Sequence, residues 1–296
     1  MTVRVLHLAD LHLDSAYGGR PGTRTVLRQA TMESFDRAIA LALDEELDVV
    51  VLAGDAFDEG ALGHEYRSRF RAGVRRLASA GVHFIYATGN HDPGGAGSVA
   101  RRLDLPGGSR ALHSRIHLAL DERPRQLVLE RDGRPALEVC AIGHGSARVT
   151  EDLAPRLGQW STNDLPRLCV LHTQVGGANG AGEHAAYAPS SAQSLARIDA
   201  HYWALGHVHV RGRAAPNIEA WYPGNVQGRN PKESGPKGGL LVELDAGGVA
   251  SDVRFVALAG VEHRTYDLDF DGPKGCLLYT SPSPRDQRGS RMPSSA

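Results

Sequence analysis

The stretch Val3-Arg-Val-Leu-His-Leu-Ala-Asp-Leu-His12 decides the fold, because an apolar run leads directly into side chains that bind metals. Residues 3–9 have the length and the aliphatic composition of a strand that is buried on both faces. Asp10 and His12 follow where this strand ends. In open α/β sheets, ligands bind beyond the carboxyl ends of the strands. The stretch therefore predicts a strand that brings a carboxylate and an imidazole to the functional edge of a sheet.

Four further apolar runs, at residues 48–54, 82–88, 167–171 and 201–205, also end at polar segments. These segments are Gly54-Asp55, Gly89-Asn90-His91-Asp92, His172 and Gly206-His207-Val208-His209. With Asp10 and His12, and with His91 and Asp92 left aside, they supply two Asp, one Asn and four His as candidate ligands. Gly-Asp or Asp-Leu-His alone is equally typical of a turn, but together the segments favour a site for two metal ions. Two divalent ions about 3.5–4 Å apart can clamp a phosphate and stabilise its attacking and leaving oxygens, so the sequence predicts phosphoester hydrolysis.

The order Asp-x-His, Gly-Asp-x-x-Asp, Gly-Asn-His-Asp, a strand-end His and Gly-His-x-His resembles the calcineurin-like metallophosphoesterases. Within that family, the chain resembles the DNA repair exonuclease branch of SbcD and YhaO-type nuclease subunits. The narrower resemblance is carried by residues 9–15, 187–190, 202–209, 223–228 and 233–238, and the match extends to about Asp271.

The resemblance implies a role for each of these residues. Asp10, His12 and His209 would hold one ion, Asn90, His172 and His207 would hold the other, and Asp55 would bridge them. His91 would not be a ligand; it would stabilise the transition state or protonate the leaving oxygen. Asp58, in Gly54-Asp-Ala-Phe-Asp58, stands where archaeal and eukaryotic relatives have a second active-site His. Bacterial relatives commonly have Asp there, and we expect Asp58 to act beside His91 as the second catalytic residue.

The ligand types also indicate which metal is bound. Mixed oxygen and imidazole ligands with open water positions suit manganese, and no cysteine favours a closed zinc site. We therefore expect two divalent ions, with manganese preferred and magnesium or iron as alternatives.

Basic residues near the last motif are candidates for contacting the substrate. They are Arg229, Lys232 and Lys237. The chain as a whole has no basic excess: removing the three Arg and one Asp of residues 276–296 changes the formal net charge from −1 to −3. Affinity for DNA must then come from local patches and from the metals. His144 also follows an apolar run, and we interpret it as a histidine of a surface loop.

Helix-period segments at residues 32–47 and 65–80 alternate with strands early in the chain, and short strands dominate from residue 115 onward. Turns are predicted at residues 131–135 and 245–248. This pattern predicts an α/β fold (α+β by some schemes), and the family resemblance implies a four-layer α-β-β-α sandwich of two mixed sheets, metallo-dependent phosphatase-like.

The sequence predicts three regions. Residues 1–260 form the metallophosphoesterase nuclease domain. Residues 261–275 begin a truncated capping domain, in which residues 261–270 alternate like a strand. Residues 276–296 resemble the translation of a sequencing adapter and are interpreted as an artefactual, disordered tail; an ordinary Ser/Pro-rich tail is the alternative.

The expected partners are DNA and a coiled-coil ATPase subunit of the SbcC/YhaN type, with a homodimer left open. Cys140 and Cys169 lie in apolar runs and indicate a reducing compartment. No leader and no run of about 18–20 apolar residues is present, so the cytoplasm is the expected location and no membrane is expected. Three classes of function remain: a metal-dependent DNA exonuclease or endonuclease, a phosphodiesterase or phosphatase acting on a small molecule or phosphoprotein, and a non-catalytic scaffold. A scaffold predicts missing ligands, and the motifs lack none.

Overall fold

The computed structural model describes residues 2–58, 62–105, 114–158, 160, 164–176, 188–245 and 250–267. Residues Met1–Arg264 form one compact unit and Thr265–Ala296 a second. Every helix and strand of the described ranges belongs to the first unit. None of these helices is both long and apolar enough to cross a membrane.

The first sheet has six strands in the order β14-β13-β1-β2-β3-β4. Its strands are β1 (Val3–Leu8), β2 (Val49–Ala53), β3 (His83–Ala87), β4 (Ile116–Ala119), β13 (Gly238–Leu244) and β14 (Ala250–Ala257). Strands β1 to β4 are parallel, whereas β13 pairs antiparallel with β1 and β14 antiparallel with β13. The parallel strands therefore bring the ends of β1, β2 and β3 to one edge.

The second sheet also has six strands, in the order β11-β12-β10-β7-β6-β5. Its strands are β5 (Arg125–Arg131), β6 (Arg134–Ile142), β7 (Arg167–His172), β10 (Tyr202–Gly206), β11 (Gly212–Arg213) and β12 (Ala220–Tyr222). Strands β6, β7 and β10 are parallel to one another. A small separate pair is formed by β8 (Gln174–Val175) and β9 (Pro189–Ser190).

Helices of very different lengths accompany the sheets. In the described ranges they are α1 (Pro21–Asp44), α2 (His64–Ser79), α3 (Val99–Arg102), α4 (Ala192–Ala196) and a 3₁₀ helix at Ala154–Arg156.

Three separate apolar clusters show that the architecture is the predicted four-layer sandwich. Helices α1 and α2 cover the outer face of the first sheet, where Phe70 lies between Phe35 and Phe84. A second cluster fills the space between the two sheets. The third covers the outer face of the second sheet, where Trp203 packs in one cluster with Leu195 of α4. Because the central strands are buried on both faces, their sequences read as continuous apolar runs.

The predicted elements agree with the structure except at two places. The helix predicted at 32–47 spans Pro21–Asp44. Pro at the first helical position is compatible with a helix start, and residues 21–31 give little apolar periodicity. The strand predicted at 261–270 is wrong for residues 261–267, which have no regular structure. There the Val261 carbonyl and amide bond the Gln227 side chain rather than a neighbouring strand.

The hairpin predicted at 131–135 is confirmed between β5 and β6, with Asp132 and Gly133 both at positive φ, 53° and 73°. The turn at 245–248 falls mostly outside the described residues. The same holds for the end of the proposed capping segment and for the tail at 276–296, which stay predictions.

Candidate metal centre

The loops after the strands have unusual backbone conformations. Asp10, His12, Asp55 and His207 all have positive φ, at 51°, 47°, 53° and 99°. Such conformations are strained for residues with a Cβ and cluster at functional sites. Neighbouring loops hold them in place: the Asp10 amide donates to Gly54 O at 3.1 Å, and the His12 amide donates to Asp55 O at 3.0 Å.

One group of ligand atoms is formed by Asp10, His12 and His209, all within 4.8 Å of one another. His12 Nε2 lies 3.3 Å from His209 Nε2, and His209 Nε2 lies 3.6 Å from Asp10 Oδ1. The other nitrogen of His12, Nδ1, lies 2.5 Å from Asp58 Oδ1. Donation of this Nδ1 proton to Asp58 leaves the Nε2 lone pair of His12 facing the cluster.

The neighbouring group contains Asp55, Asn90, His172 and His207. His172 donates through Nδ1 to Ala53 O at 2.9 Å, which leaves its Nε2 facing Asp55 Oδ2 at 3.3 Å. Asn90 Oδ1 lies 3.1 Å from His172 Nε2 and 3.0 Å from His207 Nδ1. The structure thus brings the seven predicted ligands together at the carboxyl edge of both sheets.

Asp55 lies between the two groups. Its Oδ2 is 3.3 Å from His172 Nε2 and 3.9 Å from His12 Nε2. Burial acts to raise the pKa of Asp55, but the charge and hydrogen bond of His172 hold it well below the usual range. The Asp55 carboxylate is therefore ionised and faces ligands of both groups.

These residues fit a pair of cations. Asp10 and Asp55 are both buried, at 1% exposure each, so two carboxylates lie side by side away from water. Around them, His12 and His172 donate through their outward nitrogens to fixed acceptors. A cation that displaced any proton on the inward Nε2 would therefore meet a lone pair from each ring. Buried charges require a partner or a metal. A cation at each group would satisfy both the carboxylates and the lone pairs.

His91 lies at the mouth of the centre. Its side chain is 45% exposed, its Nδ1 lies 3.2 Å from Asp58 Oδ1, and its amide donates to Asp55 Oδ1 at 2.9 Å. The hydrogen bond to Asp58 raises the pKa of His91, outweighing the effect of burial. Asp58 itself stays ionised, because hydrogen bonds from His12 and His91 lower its pKa although burial raises it.

Asp92 has a structural role that the sequence did not reveal, although it lies inside the Gly-Asn-His-Asp motif. Its carboxylate accepts from the amides of Asp55 at 3.2 Å, Ala56 at 2.5 Å and Gly89 at 2.6 Å, and from the Tyr86 hydroxyl at 2.5 Å. Burial raises the pKa of Asp92 to about 6. Asp92 ties the loop after β2 to the loop after β3, so it positions Asp55 and Asn90.

The interpretation of His144 as a surface residue is wrong. His144 is fully buried, and its Nε2 lies 2.8 Å from His172 O. The reason is that β6 ends at Ile142 at the same edge as β7, so His144, two residues later, lies beneath the predicted ligand His172. Burial lowers the pKa of His144 to about 3, which keeps its imidazole neutral.

A groove of about 380 Å³ opens over the metal-ligand groups, and its lining includes Asp55, Asn90, His91, Gln174 and Arg229. A larger cavity of about 470 Å³ lies at the opposite, amino ends of the strands. Since that cavity contains none of the predicted ligands, the smaller groove is the candidate substrate site.

The three basic residues predicted to contact substrate have different surroundings. Lys237 is only 9% exposed, and its Nζ donates to His209 O at 3.1 Å, so its ammonium holds the His209 loop. Arg229 lies 3.3 Å from Glu233 and faces the groove over the ligands. Lys232 is exposed. Contact of these residues with substrate stays a prediction.

Comparisons with known proteins agree with this geometry. The calcineurin-like phosphoesterase family matches residues 3–211. The chain is 28% identical over 250 residues to the uncharacterized metallophosphoesterase YhaO of Bacillus subtilis, covering 83% of this chain and 58% of that protein. It is 28% identical over 141 residues to SbcD of the nuclease SbcCD of Escherichia coli, covering 47% and 32%. It is 36% identical over 89 residues to the DNA double-strand break repair protein Mre11 of Aeropyrum pernix, covering 30% and 21%.

The chain spans little more than half the length of YhaO and smaller shares of the other two relatives. The family match, in contrast, covers more than half of this chain and includes every predicted metal ligand. The chain therefore belongs to the calcineurin-like phosphoesterases, dimetal-dependent hydrolases that act on phosphoester bonds.

Proposed function

We propose that this protein is a two-metal-dependent phosphodiester hydrolase that acts on DNA as an exonuclease or endonuclease in repair. The observation that carries the proposal is the set of seven predicted ligands beneath an open groove, four of them buried and three partly buried, with the half-exposed His91 at its mouth. A groove open to solvent admits a polymer whose ends lie outside the site.

The ligands divide between two divalent ions, with manganese preferred and magnesium or iron as alternatives. Asp10, His12 and His209 would hold one ion, Asn90, His172 and His207 would hold the other, and Asp55 would be shared between them. When bound, the pair neutralises the phosphate and lowers the pKa of a coordinated water toward neutrality.

His91 supplies a proton in this mechanism. Its Nδ1 is engaged by Asp58, so Nε2 is the nitrogen free to face a substrate in the groove. The raised pKa keeps the ring protonated to higher pH than an ordinary histidine. His91 therefore donates a proton from Nε2 to the leaving oxygen, and Asp58 orients the ring and stabilises its charged form.

The choice of DNA is supported by two relatives, one a component of a nuclease and the other a DNA double-strand break repair protein. Because SbcD is one subunit of its nuclease, we also propose a partner for this chain, a coiled-coil ATPase of the SbcC/YhaN type. A phosphodiesterase or phosphatase acting on a small molecule or phosphoprotein is the second candidate. The observation that favours this candidate is the absence of a net basic charge, −1 for the chain.

The test compares three substrates in the presence of manganese: linear duplex DNA, single-stranded DNA and bis-nitrophenyl phosphate. We expect cleavage of DNA and of the small ester, and loss of both with the Asp55→Asn variant, since a shared carboxylate serves both ions. Cleavage of the small ester without any cleavage of DNA would refute the nuclease assignment and favour the second candidate. Cleavage of none of the three would refute the phosphodiesterase assignment itself.

A further inference from the structure

His209 differs from the other inward-facing histidines in the residue that engages its outer nitrogen. His172 is held by a backbone carbonyl and His12 by Asp58, both from neighbouring strand-end loops. His209 Nδ1 lies 3.0 Å from Glu233 Oε1. Glu233 belongs to the long connection between β12 and β13, outside the five ligand-bearing segments.

Glu233 is itself held by several donors. Its Oε2 accepts from Asn225 Nδ2 at 2.6 Å and from the Arg229 amide at 2.7 Å, and its Oε1 lies 3.3 Å from Arg229 Nη2. Asn225 is fully buried. A carboxylate with this many fixed donors has a single position, so it offers Oε1 to His209 in one direction only.

The geometry restricts the tautomer of His209. Arg229 Nη2 also lies 3.1 Å from His209 Nδ1, but a guanidinium has only donors. If Arg229 donated to Nδ1, the ring proton would sit on Nε2 and point at Asp10 and His12, where no cation could then be bound. Only a proton on Nδ1 frees Nε2 as a ligand, and Glu233 is the acceptor in position to receive that proton.

We propose that Glu233 is a positioning residue that fixes His209 with its proton on Nδ1 and its Nε2 lone pair facing Asp10 and His12. The proposal rests on the proposed two-metal function. It adds that binding of one of the two ions depends on a residue of the β12–β13 connection. Acceptors that engage the outer nitrogen of a metal-ligating histidine set its tautomer and orientation, and their removal typically weakens metal affinity about 10- to 100-fold.

The β12–β13 connection is in turn fastened to the segment that follows β14. Gln227 Nε2 donates to Val261 O at 2.7 Å, and Gly235 N donates to His263 O at 2.9 Å. These bonds lie on both sides of Glu233 in sequence. They explain why Glu233 keeps its place although it lies on a long loop.

The test measures manganese binding to metal-free protein by calorimetry and electron paramagnetic resonance, with Glu233→Ala and the isosteric Glu233→Gln. The matched control is Glu219→Ala, which removes an arginine-paired carboxylate of the β11–β12 connection that contacts no predicted ligand. We expect Glu233→Ala to lower the affinity for one of the two manganese ions about 10- to 100-fold. Glu233→Gln, which keeps an acceptor oxygen, should lower this affinity less. The second ion should bind as in the wild type, as should both ions in the control.

The proposal would be overturned if Glu233→Ala bound both manganese ions with wild-type affinity. It would also be overturned if Glu219→Ala lost as much manganese affinity as Glu233→Ala, which would indicate general destabilisation. If Glu233→Ala does not fold, as judged by thermal unfolding without metal, Glu233→Leu decides, because it fills similar space without an acceptor oxygen: an unchanged affinity for both ions then overturns the proposal. A wild-type protein that binds two ions but cleaves no phosphodiester would refute the proposed function and leave this measurement valid.

Discussion

At the scale of single residues, His91 and Asp58 form a pair in which each shifts the other toward its charged form. Asp58 accepts from His12 and His91 together, and the Ser15 hydroxyl also donates to it. Its carboxylate therefore links a predicted ligand to the predicted acid. The backbone amide of His91 is held separately by Asp55. A substitution at Asp58 is therefore expected to change the protonation of His91 more than its position.

This pair predicts a pH dependence. Because the pKa of His91 is raised, its protonated form persists above the usual histidine range, and kcat/KM should decline only as the pH rises beyond that raised value. Asp58→Asn removes the main cause of the raised His91 pKa, so the decline of kcat/KM at alkaline pH should move to lower pH. The measurement is the pH profile of bis-nitrophenyl phosphate cleavage at saturating manganese.

The matched variant is His91→Gln, which cannot donate a proton. It should bind two manganese ions and lower kcat by about 10²- to 10⁴-fold, the usual contribution of general acid catalysis, and its profile should lack the alkaline decline. Loss of manganese binding in His91→Gln would instead identify His91 as a ligand.

The residue scale also shows which parts of the site the sequence could predict. The convergence of residues such as Asp10 and Asn90 was predictable, because they follow apolar strands and strand ends meet at one edge, whereas their role as ligands stays a prediction. The roles of Asp92 and Glu233 were not predictable, although both lie inside motifs shared with the family. Their partners come from segments distant in sequence, and the pairing depends on tertiary proximity. His144 was misassigned because its burial depends on where β6 ends relative to β7.

At the scale of elements, the two sheets are in direct contact at the ends that carry the predicted ligands. His172 at the end of β7 donates across this junction to Ala53 O of β2. Gly206 ends β10 at the same place, where an added Cβ would lie 1.8 Å from Ala53 O and 2.8 Å from His172 Nδ1. The absence of a side chain at Gly206 is therefore a condition for bringing His172 and His207 together.

Gly206→Ala should separate the ends of β10 and β2. We expect a loss of about 1–3 kcal/mol in the free energy of unfolding, the usual cost of overpacking, and weaker binding of manganese. Gly212→Ala is the control, because a Cβ at Gly212 on β11 meets nothing within 4 Å. Urea unfolding of the three metal-free proteins measures the loss. Equal midpoints for Gly206→Ala and the wild type would show that the junction can relax.

Strands proved more predictable than helices at this scale. The runs at 48–54 and 82–88 differ from β2 and β3 by one residue at each end, because full burial imposes an apolar composition along the whole strand. Helix α1 was predicted too short. Its first turns are mostly exposed, so packing leaves little apolar pattern in residues 21–31. Residues 261–267 alternate in sequence but do not form a strand, and the backbone amide and carbonyl of Val261 are both bonded to the Gln227 side chain.

At the scale of the whole molecule, a polar residue crosses the apolar layer between the sheets. His7 of β1 is fully buried, with Nδ1 3.0 Å from the Tyr202 hydroxyl and Nε2 3.1 Å from Leu205 O, both of β10. One imidazole thus joins the two sheets by hydrogen bonds on both nitrogens. Burial lowers the pKa of His7 to about 3. His7 is therefore neutral in the folded protein near neutral pH.

This neutral state makes the stability of the sandwich dependent on pH. The unfolded chain binds a proton at His7 below about pH 6.5, whereas the folded protein does so only near its lowered pKa. Stability from this group is therefore complete above about pH 6.5 and is lost as the pH falls toward 3, by at most about 1.4 kcal/mol per pH unit. His83 and His144 also have lowered pKa values, about 4 and about 3, so the total slope should exceed the contribution of His7.

The difference between two proteins isolates the contribution of His7. His7→Gln keeps an amide able to bond Tyr202 and Leu205 but carries no titrating group. The free energy of unfolding of this variant should therefore fall less steeply than that of the wild type from pH 6.5 to 4.5. The difference in slope should correspond to about one fewer proton taken up on unfolding. His64→Gln, at the start of α2 and outside the apolar layers, is the control and should keep the wild-type slope. Urea unfolding of each protein across this range, with a chelator in every sample so that metal release does not contribute, gives the three slopes. Parallel curves for His7→Gln and the wild type would mean that His7 accepts a proton without unfolding, and that the layer between the sheets admits water where the structure shows it closed.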